Sequence, residues 1–244
     1  MKKILLIILT LVILAAGAAA YFFLFTSSGY RMTVPYNRSF EKIADNVYVN
    51  KGYAGDTNEI IKLTDRAKER TTIFFGSLRC TDETIFIICD DKDLISKLGG
   101  DHDTITAMFP AKKNLISISA EYLDLDIFAH ELTHAELHSR LSDKALTSIP
   151  TWFDEGLATQ NDYREKYSEE NWFKQTENGK ITISPENMDT PDEFYEGTND
   201  EKAIRYLNAK HMVSEWMTTH GMHGLLDLID KLNSGEDFST AYGK

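Results

Sequence analysis

Asp124-Leu-Asp-Ile-Phe-Ala-His130-Glu131-Leu-Thr-His134-Ala-Glu-Leu-His138-Ser-Arg140-Leu141 is the stretch from which the architecture of this chain follows. Asp124 is a helix-capping residue, and the segment after it predicts a long helix running to about Leu141. On an α-helix, residues four apart lie one above the other, so His130 and His134 project from one face and can share a cation. Glu131 sits about 100° further round, near that cation and able to handle a proton. His138 lies one more turn along the same face and reads as a supporting or solvent-facing histidine. Glu136, and Asp154 further on, read as supporting or surface groups rather than ligands.

Upstream of this helix the patterns are those of strands and short helices. Asn46–Asn50 reads as a short strand, Asn58–Phe75 as a helix closed by Gly76, and Glu83–Cys89 as a buried strand. A short helix over Asp91–Leu98 ends at Gly99 and Gly100. Ile105–Phe109 and Asn114–Ala120 read as two further strands joined around Pro110. Downstream the pattern is helical, with an acidic, aromatic-studded excursion at Asp162–Glu196 and closing helices over about Asp200–His220 and Gly224–Leu232. His220 and His223 flank Gly221 and read as part of a turn between helices. Strands precede helices, which predicts the α+β class with a helical second half.

The chain has 244 residues, 42% apolar and 26% charged, with 5 Pro and 14 Gly. This is enough for a sizeable core and excludes disordered, collagenous and disulfide-scaffold classes. Net charge is −12, and two of the 26 basic residues are Lys2 and Lys3, so the remainder is more acidic still. Such a surface repels phosphate backbones, and no nucleic-acid partner is expected.

Ile4–Phe25 is an uncharged, almost wholly apolar run. As a helix its 22 residues span about 33 Å, enough for a hydrocarbon core of roughly 30 Å. Ala18 and Ala20 could serve a signal-peptide cleavage site, but the apolar run continues through Phe25, which fits an uncleaved anchor better. Lys2 and Lys3 would keep the N-terminus cytoplasmic, placing everything after Thr26 outside. The expected partners are therefore the lipid bilayer, through residues 1–25, and whatever the exported domain acts on. The short positive leader resembles a bacterial export signal. Residues 26–56 read as a juxtamembrane tether, Thr26–Pro35, leading into a first strand, and residues 57–244 as the functional domain. Cys80 and Cys89 flank an extended segment too long to bridge unless the chain turns near Asp82, which leaves a disulfide open.

A catalytic zinc needs a third protein ligand and an open position for water. Sixteen residues beyond His134 begins Pro150-Thr-Trp152-Phe-Asp154-Glu155-Gly156-Leu-Ala158. His-Glu-x-x-His followed by Trp-x-x-Glu-Gly-x-Ala resembles the gluzincin metallopeptidases, in particular the aminopeptidase N-like enzymes and the smaller peptidase MA-like domains. Metzincins would carry Gly and His where this chain has Leu137 and Arg140. An inverted His-x-x-Glu-His order is absent, and the motif lies far from the apolar span that an intramembrane protease would need.

The resemblance is strong over 127–160 and extends across about 57–235. It implies a zincin-like fold, with a small mixed β-sheet N-terminal lobe, a helical C-terminal lobe and the active-site helix between them. It further implies that His130, His134 and Glu155 hold Zn2+ and that Glu131 is the general base. By the same resemblance Gly156 allows the two ligand helices a close approach, and Thr159 is a hydroxyl placed to orient a ligand. Tyr206 is the first choice for the group that stabilises the oxyanion and His211 the second. Asn114, Ile116 and Ile118 would belong to an edge strand that pairs with an extended peptide or protein substrate. The Gly-x-Met-x-Asn segment that binds a free α-amine in aminopeptidases is missing, which favours an endopeptidase. The competing expectation is a metal-binding scaffold or partner-binding protein on the same fold, without proteolysis. Oligomeric state is not legible in these residues.

Overall fold

The computed structural model describes residues 2–80, 84–100, 104–108 and 114–243. The chain is α+β and divides into two compact units: Met1–Ile61 with Glu83–Tyr122, and Lys62–Asp82 with Leu123–Lys244. The expected 57–244 domain is thus shared between them.

In the first unit, α1 (Lys2–Phe25) is apolar after its two leading lysines, with mean hydropathy 2.7 over its candidate span Lys3–Phe25 and none of its most apolar stretch buried. It is long and apolar enough to cross a membrane. The next segment is not the slack tether expected of Thr26–Pro35. The Thr26 hydroxyl accepts from Gly29 N and caps α2 (Ser27–Thr33), which runs into a 3-10 turn at Val34–Tyr36. Arg31 Nε donates to the Leu98 carbonyl at 2.6 Å, and Val34 is buried in the apolar cluster of this unit. The local Gly/Ser content pointed to a tether, but one cap, one tertiary hydrogen bond and one buried valine order it.

β1 (Phe40–Ala44), which the sequence patterns did not reveal, pairs antiparallel with β2 (Val47–Asn50) across a turn where Asn46 has φ 58°. With Phe40 buried, its next two residues exposed and Ile43 and Ala44 half-buried, β1 is too short and too charged to show a period of two. α3 (Thr57–Phe75) follows. β3 (Thr84–Cys89) has all six residues buried, as befits a central strand covered on both faces. α4 (Lys92–Lys97) is capped by Asp91, and β4 (Thr104–Met108) and β5 (Asn114–Ser119) complete a five-stranded mixed sheet of order β1-β2-β3-β5-β4. β2, β3 and β5 are parallel, whereas β4 is antiparallel to β5.

This order corrects the expectation for Asn114, Ile116 and Ile118. β5 is an inner strand, with Ile116 opposite Phe86 of β3 on one side and Thr106 of β4 on the other. All three residues are buried, so neither their backbone nor their side chains are available to a peptide. The sheet edges belong to β1 and β4. Asp82, the proposed turn between the cysteines, and Pro110, the proposed link between strands, lie outside the described residues. Cys80 and Cys89 are buried thiols, not a disulfide, and burial pushes the Cys89 thiol up to about 11.

The second unit holds the rest of α3, then α5 (Leu125–Arg140), α6 (Asp143–Leu146), α7 (Thr151–Gln160), α8 (Glu169–Gln175), α9 (Pro191–Tyr195), α10 (Asn199–Ser234) and α11 (Phe238–Tyr242). α10 is broken at Gly221, whose φ of 60° and ψ of −168° are not helical, so it is two helices meeting at the expected turn. Its core gathers Leu137, Trp152, Phe153, Leu157, Val213, Leu228 and Phe238.

Glu136 is part of this scaffold rather than of any site. Its carboxylate is fully buried, accepts from Arg79 N and Cys80 N at 2.8 and 3.0 Å, and is paired with Arg140 at 2.6 Å. Arg140 in turn donates to the Ser77 carbonyl. Removing one partner of a buried ion pair strands the other, so Glu136→Ala should lose about 3–5 kcal/mol of stability in denaturant titration, more than any surface change.

Candidate metal centre

α7 begins without a side-chain cap at Pro150, and its first amides donate outward: Thr151 N to the Asp189 carbonyl and Trp152 N to that of Met188. Trp152 and Phe153 then enter the aromatic core against Phe238 and Tyr242. Packing of these two rings leaves Asp154 and Glu155 facing α5. The two helices are also cross-linked, because Asn161 Nδ2 donates to Thr133 Oγ1 of α5 and to Thr71 Oγ1 of α3, each at 3.1 Å.

His130, His134 and Glu155 come together as the motif spacing implies, each buried. His130 Nε2 and His134 Nε2 are 3.2 Å apart, and Glu155 Oε2 is 3.4 and 3.5 Å from them. Atoms about 2.0–2.1 Å from a tetrahedral zinc are separated by roughly 3.3–3.4 Å, so this triangle is the size of one face of such a site. Among the described residues Glu155 Oε2 has no hydrogen-bond partner and it is inaccessible to solvent, an arrangement costly for a carboxylate unless positive charge meets it. The residues therefore fit a metal ion, and these three could hold one.

Glu155 and His134 are each held by a further group, whereas His130 Nδ1 makes no hydrogen bond among the described residues. The Tyr195 hydroxyl donates to Glu155 Oε1. Asp154 Oδ1 lies 2.6 Å from His134 Nδ1, and its Oδ2 lies 2.7 Å from His138 Nε2. Asp162 Oδ2 is 3.5 Å from His130 Nδ1 and is itself held by the Arg164 guanidinium. Burial disfavours the charged form of His134, but the Asp154 and Glu155 carboxylates outweigh it and hold its pKa well above the usual histidine value. Burial likewise opposes ionisation of Glu155, and His134 and His130 reverse this, holding its carboxyl well below the carboxylate range. Asp154 and Asp162 are lowered in the same way by their histidine and arginine partners. Protons on the imidazoles and a cation between them are alternative ways of supplying the positive charge that these carboxylates require.

Glu131 is buried beside His130 on α5. Tyr206, on α10, packs its ring against Phe194 and Tyr167, and its hydroxyl makes no hydrogen bond among the described residues. Burial raises its pKa well above the ordinary value, and the neighbouring Glu155, Tyr195, Tyr167 and Glu131 raise it further. His211 is occupied elsewhere: its ring stacks on Trp172 at 3.6 Å and pairs with Glu215. Thr159 does not orient a ligand side chain, since its hydroxyl donates to the Glu155 and Gly156 carbonyls within its own helix. Gly156 faces α10 instead of α5. A Cβ there would sit 2.5 Å from the Ala209 carbonyl oxygen, so the close approach the glycine allows is between α7 and α10.

Tyr195 was not legible in the sequence. It lies forty residues beyond Glu155 and is delivered by α9, a helix of five residues. Capping boxes at Thr190/Glu193 and Thr198/Glu201 fix both ends of this segment, and fully buried Phe194 anchors it. By engaging Oε1, Tyr195 leaves Oε2 alone to face the histidines. Tyr195→Phe should weaken metal binding about 10–100-fold in chelator competition while leaving the fold intact.

No protein-family model matches the chain, and a search of curated proteins returns no significant match.

Proposed function

We propose that this chain is a membrane-anchored zinc metallopeptidase of the gluzincin type, an endopeptidase whose catalytic unit faces the extracytoplasmic space. The observation that carries the reading is the buried triangle of His130, His134 and Glu155 with Glu131 beside it on the same helix. In this reading the five-stranded sheet is the N-terminal lobe of a zincin, and α5–α11 supply the helical lobe.

Zinc held by these three residues supplies a water of lowered pKa and a positive pole for a peptide carbonyl. His130 and His134 present Nε2; Asp154 behind His134 Nδ1 fixes that ring's orientation, and the Asp162 carboxylate lies 3.5 Å from His130 Nδ1 as a neighbouring negative charge. Glu131 takes the proton of the attacking water on a carboxylate oxygen and passes it to the leaving amine nitrogen. The Tyr206 hydroxyl, which has no hydrogen-bond partner among the described residues, donates to the carbonyl oxygen as that oxygen gains charge. A purely structural metal site has no use for Glu131, which weighs against a scaffold.

The reading is tested with full-length protein in detergent. It should bind about one zinc per chain in this site and cleave members of a diverse peptide library, with both properties lost on treatment with chelator. Cleavage that persists after complete zinc removal would refute it. The anchor is tested separately. α1 should keep the protein in the membrane fraction through alkaline extraction, and a mature N-terminus at Tyr21 would turn the anchor into a cleaved signal.

A further inference from the structure

We propose a second, weaker divalent-metal site one helical turn beyond the first, formed by His138 and Asp154 and suited to Zn2+. α5 carries His130, His134 and His138 at intervals of four, so the face that builds the first site continues past it. Asp154 stands between the last two rings, its Oδ1 2.6 Å from His134 Nδ1 and its Oδ2 2.7 Å from His138 Nε2. His134, His138 and Asp154 offer donor atoms within 4.8 Å of one another, and with His134 engaged by the inner site His138 and Asp154 are the two that remain for a second cation.

Exposure separates the two sites. The side chains of His138 and Asp154 are 18% and 19% exposed, against 8%, 9% and 7% for His130, His134 and Glu155. The outer pair is therefore partly open to solvent, whereas the inner group is closed off. An imidazole nitrogen and a carboxylate oxygen are both zinc ligands, and the open side leaves room for waters to complete the shell.

When His134 serves the inner site through Nε2, its Nδ1–H remains on Asp154 Oδ1. Asp154 Oδ2 and His138 Nε2 are then the outer pair, and the cation replaces the hydrogen bond between them. Two protein ligands bind less tightly than three. Both cations draw on the charge of Asp154, so filling the outer site should weaken the inner one, and by linkage the reverse. High zinc would thereby loosen the ion the protein holds at low zinc. The proposal rests on the metallopeptidase reading only for the role given to His134.

Full-length protein in detergent, equilibrated with buffered free Zn2+ from the nanomolar to the millimolar range, should take up zinc in two steps. His138→Ala and His138→Gln should each lose the weaker step and keep the tight one. In wild-type protein the weaker step should also protect His138 from a histidine-acylating reagent, read by mass spectrometry, which needs no variant to fold. A weak step that survives in both variants, or His138 acylated equally at low and high zinc, would overturn the proposal. A wild-type protein showing the His138-dependent step without the tight one would uphold the outer site and discard the inner, so the two failures are distinguishable.

Discussion

Glu131→Gln should leave zinc bound and the fold intact while lowering kcat on cleaved peptides by about 10²- to 10⁴-fold. The substitution keeps the size and dipole of the side chain and removes only its ability to accept a proton. Because Glu131 is buried next to His130, an isosteric change is required for the comparison to report on chemistry rather than packing. Tyr206→Phe, measured beside it, removes one hydroxyl from a ring that Phe194 and Tyr167 hold in place. Loss of an oxyanion donor costs roughly 10²- to 10³-fold in kcat, whereas a tyrosine that serves only the core would lose thermal stability and keep its turnover. Turnover and thermal midpoint on the same samples separate the two. Full activity in Glu131→Gln would assign the proteolysis to another protein and leave this chain as a metal-binding scaffold.

His134→Ala should lose zinc far more completely than Tyr195→Phe. It deletes one of the three proposed ligands and also takes from Asp154 Oδ1 its 2.6 Å partner. A supporting hydrogen bond is worth about 10–100-fold in metal affinity, and the loss of a ligand should exceed that range in chelator competition. Zinc retained near one per chain under the same challenge would show that the ligand assignment is wrong. His138→Ala is the matched control: one turn away on the same helix, it should leave the tight zinc in place.

The His130–His134 pair of the candidate metal group was legible because it depends on local geometry, whereas Glu155 was named from the resemblance to gluzincins. His130 and His134 share a face by helical period alone, and an Asp124 cap with a run to Arg140 is what the structure contains. β2, β3, α3 and α4 were readable for the same reason, as dense apolar runs or periodic patterns closed by Gly76 or capped by Asp91.

What the sequence could not show depends on partners distant along the chain. Whether Asn114–Ser119 was an edge or an inner strand turned on where β4 paired, and pairing is a property of two segments, not of either one. β1 carries too few buried residues to announce itself, and residues 26–35 look slack until Arg31 finds the Leu98 carbonyl. Gly156 advertised a close helix approach without naming the neighbour, which is α10. Tyr195, Asp162 and the sharing of Asp154 between His134 and His138 have no local signature either. By itself, the sequence determined the shared face of His130 and His134 and the apolar N-terminal segment, because those follow from backbone period and composition. Only the tertiary structure decided which groups brace the ligands, because a hydrogen bond across forty residues is set by how helices pack and not by what precedes or follows each residue.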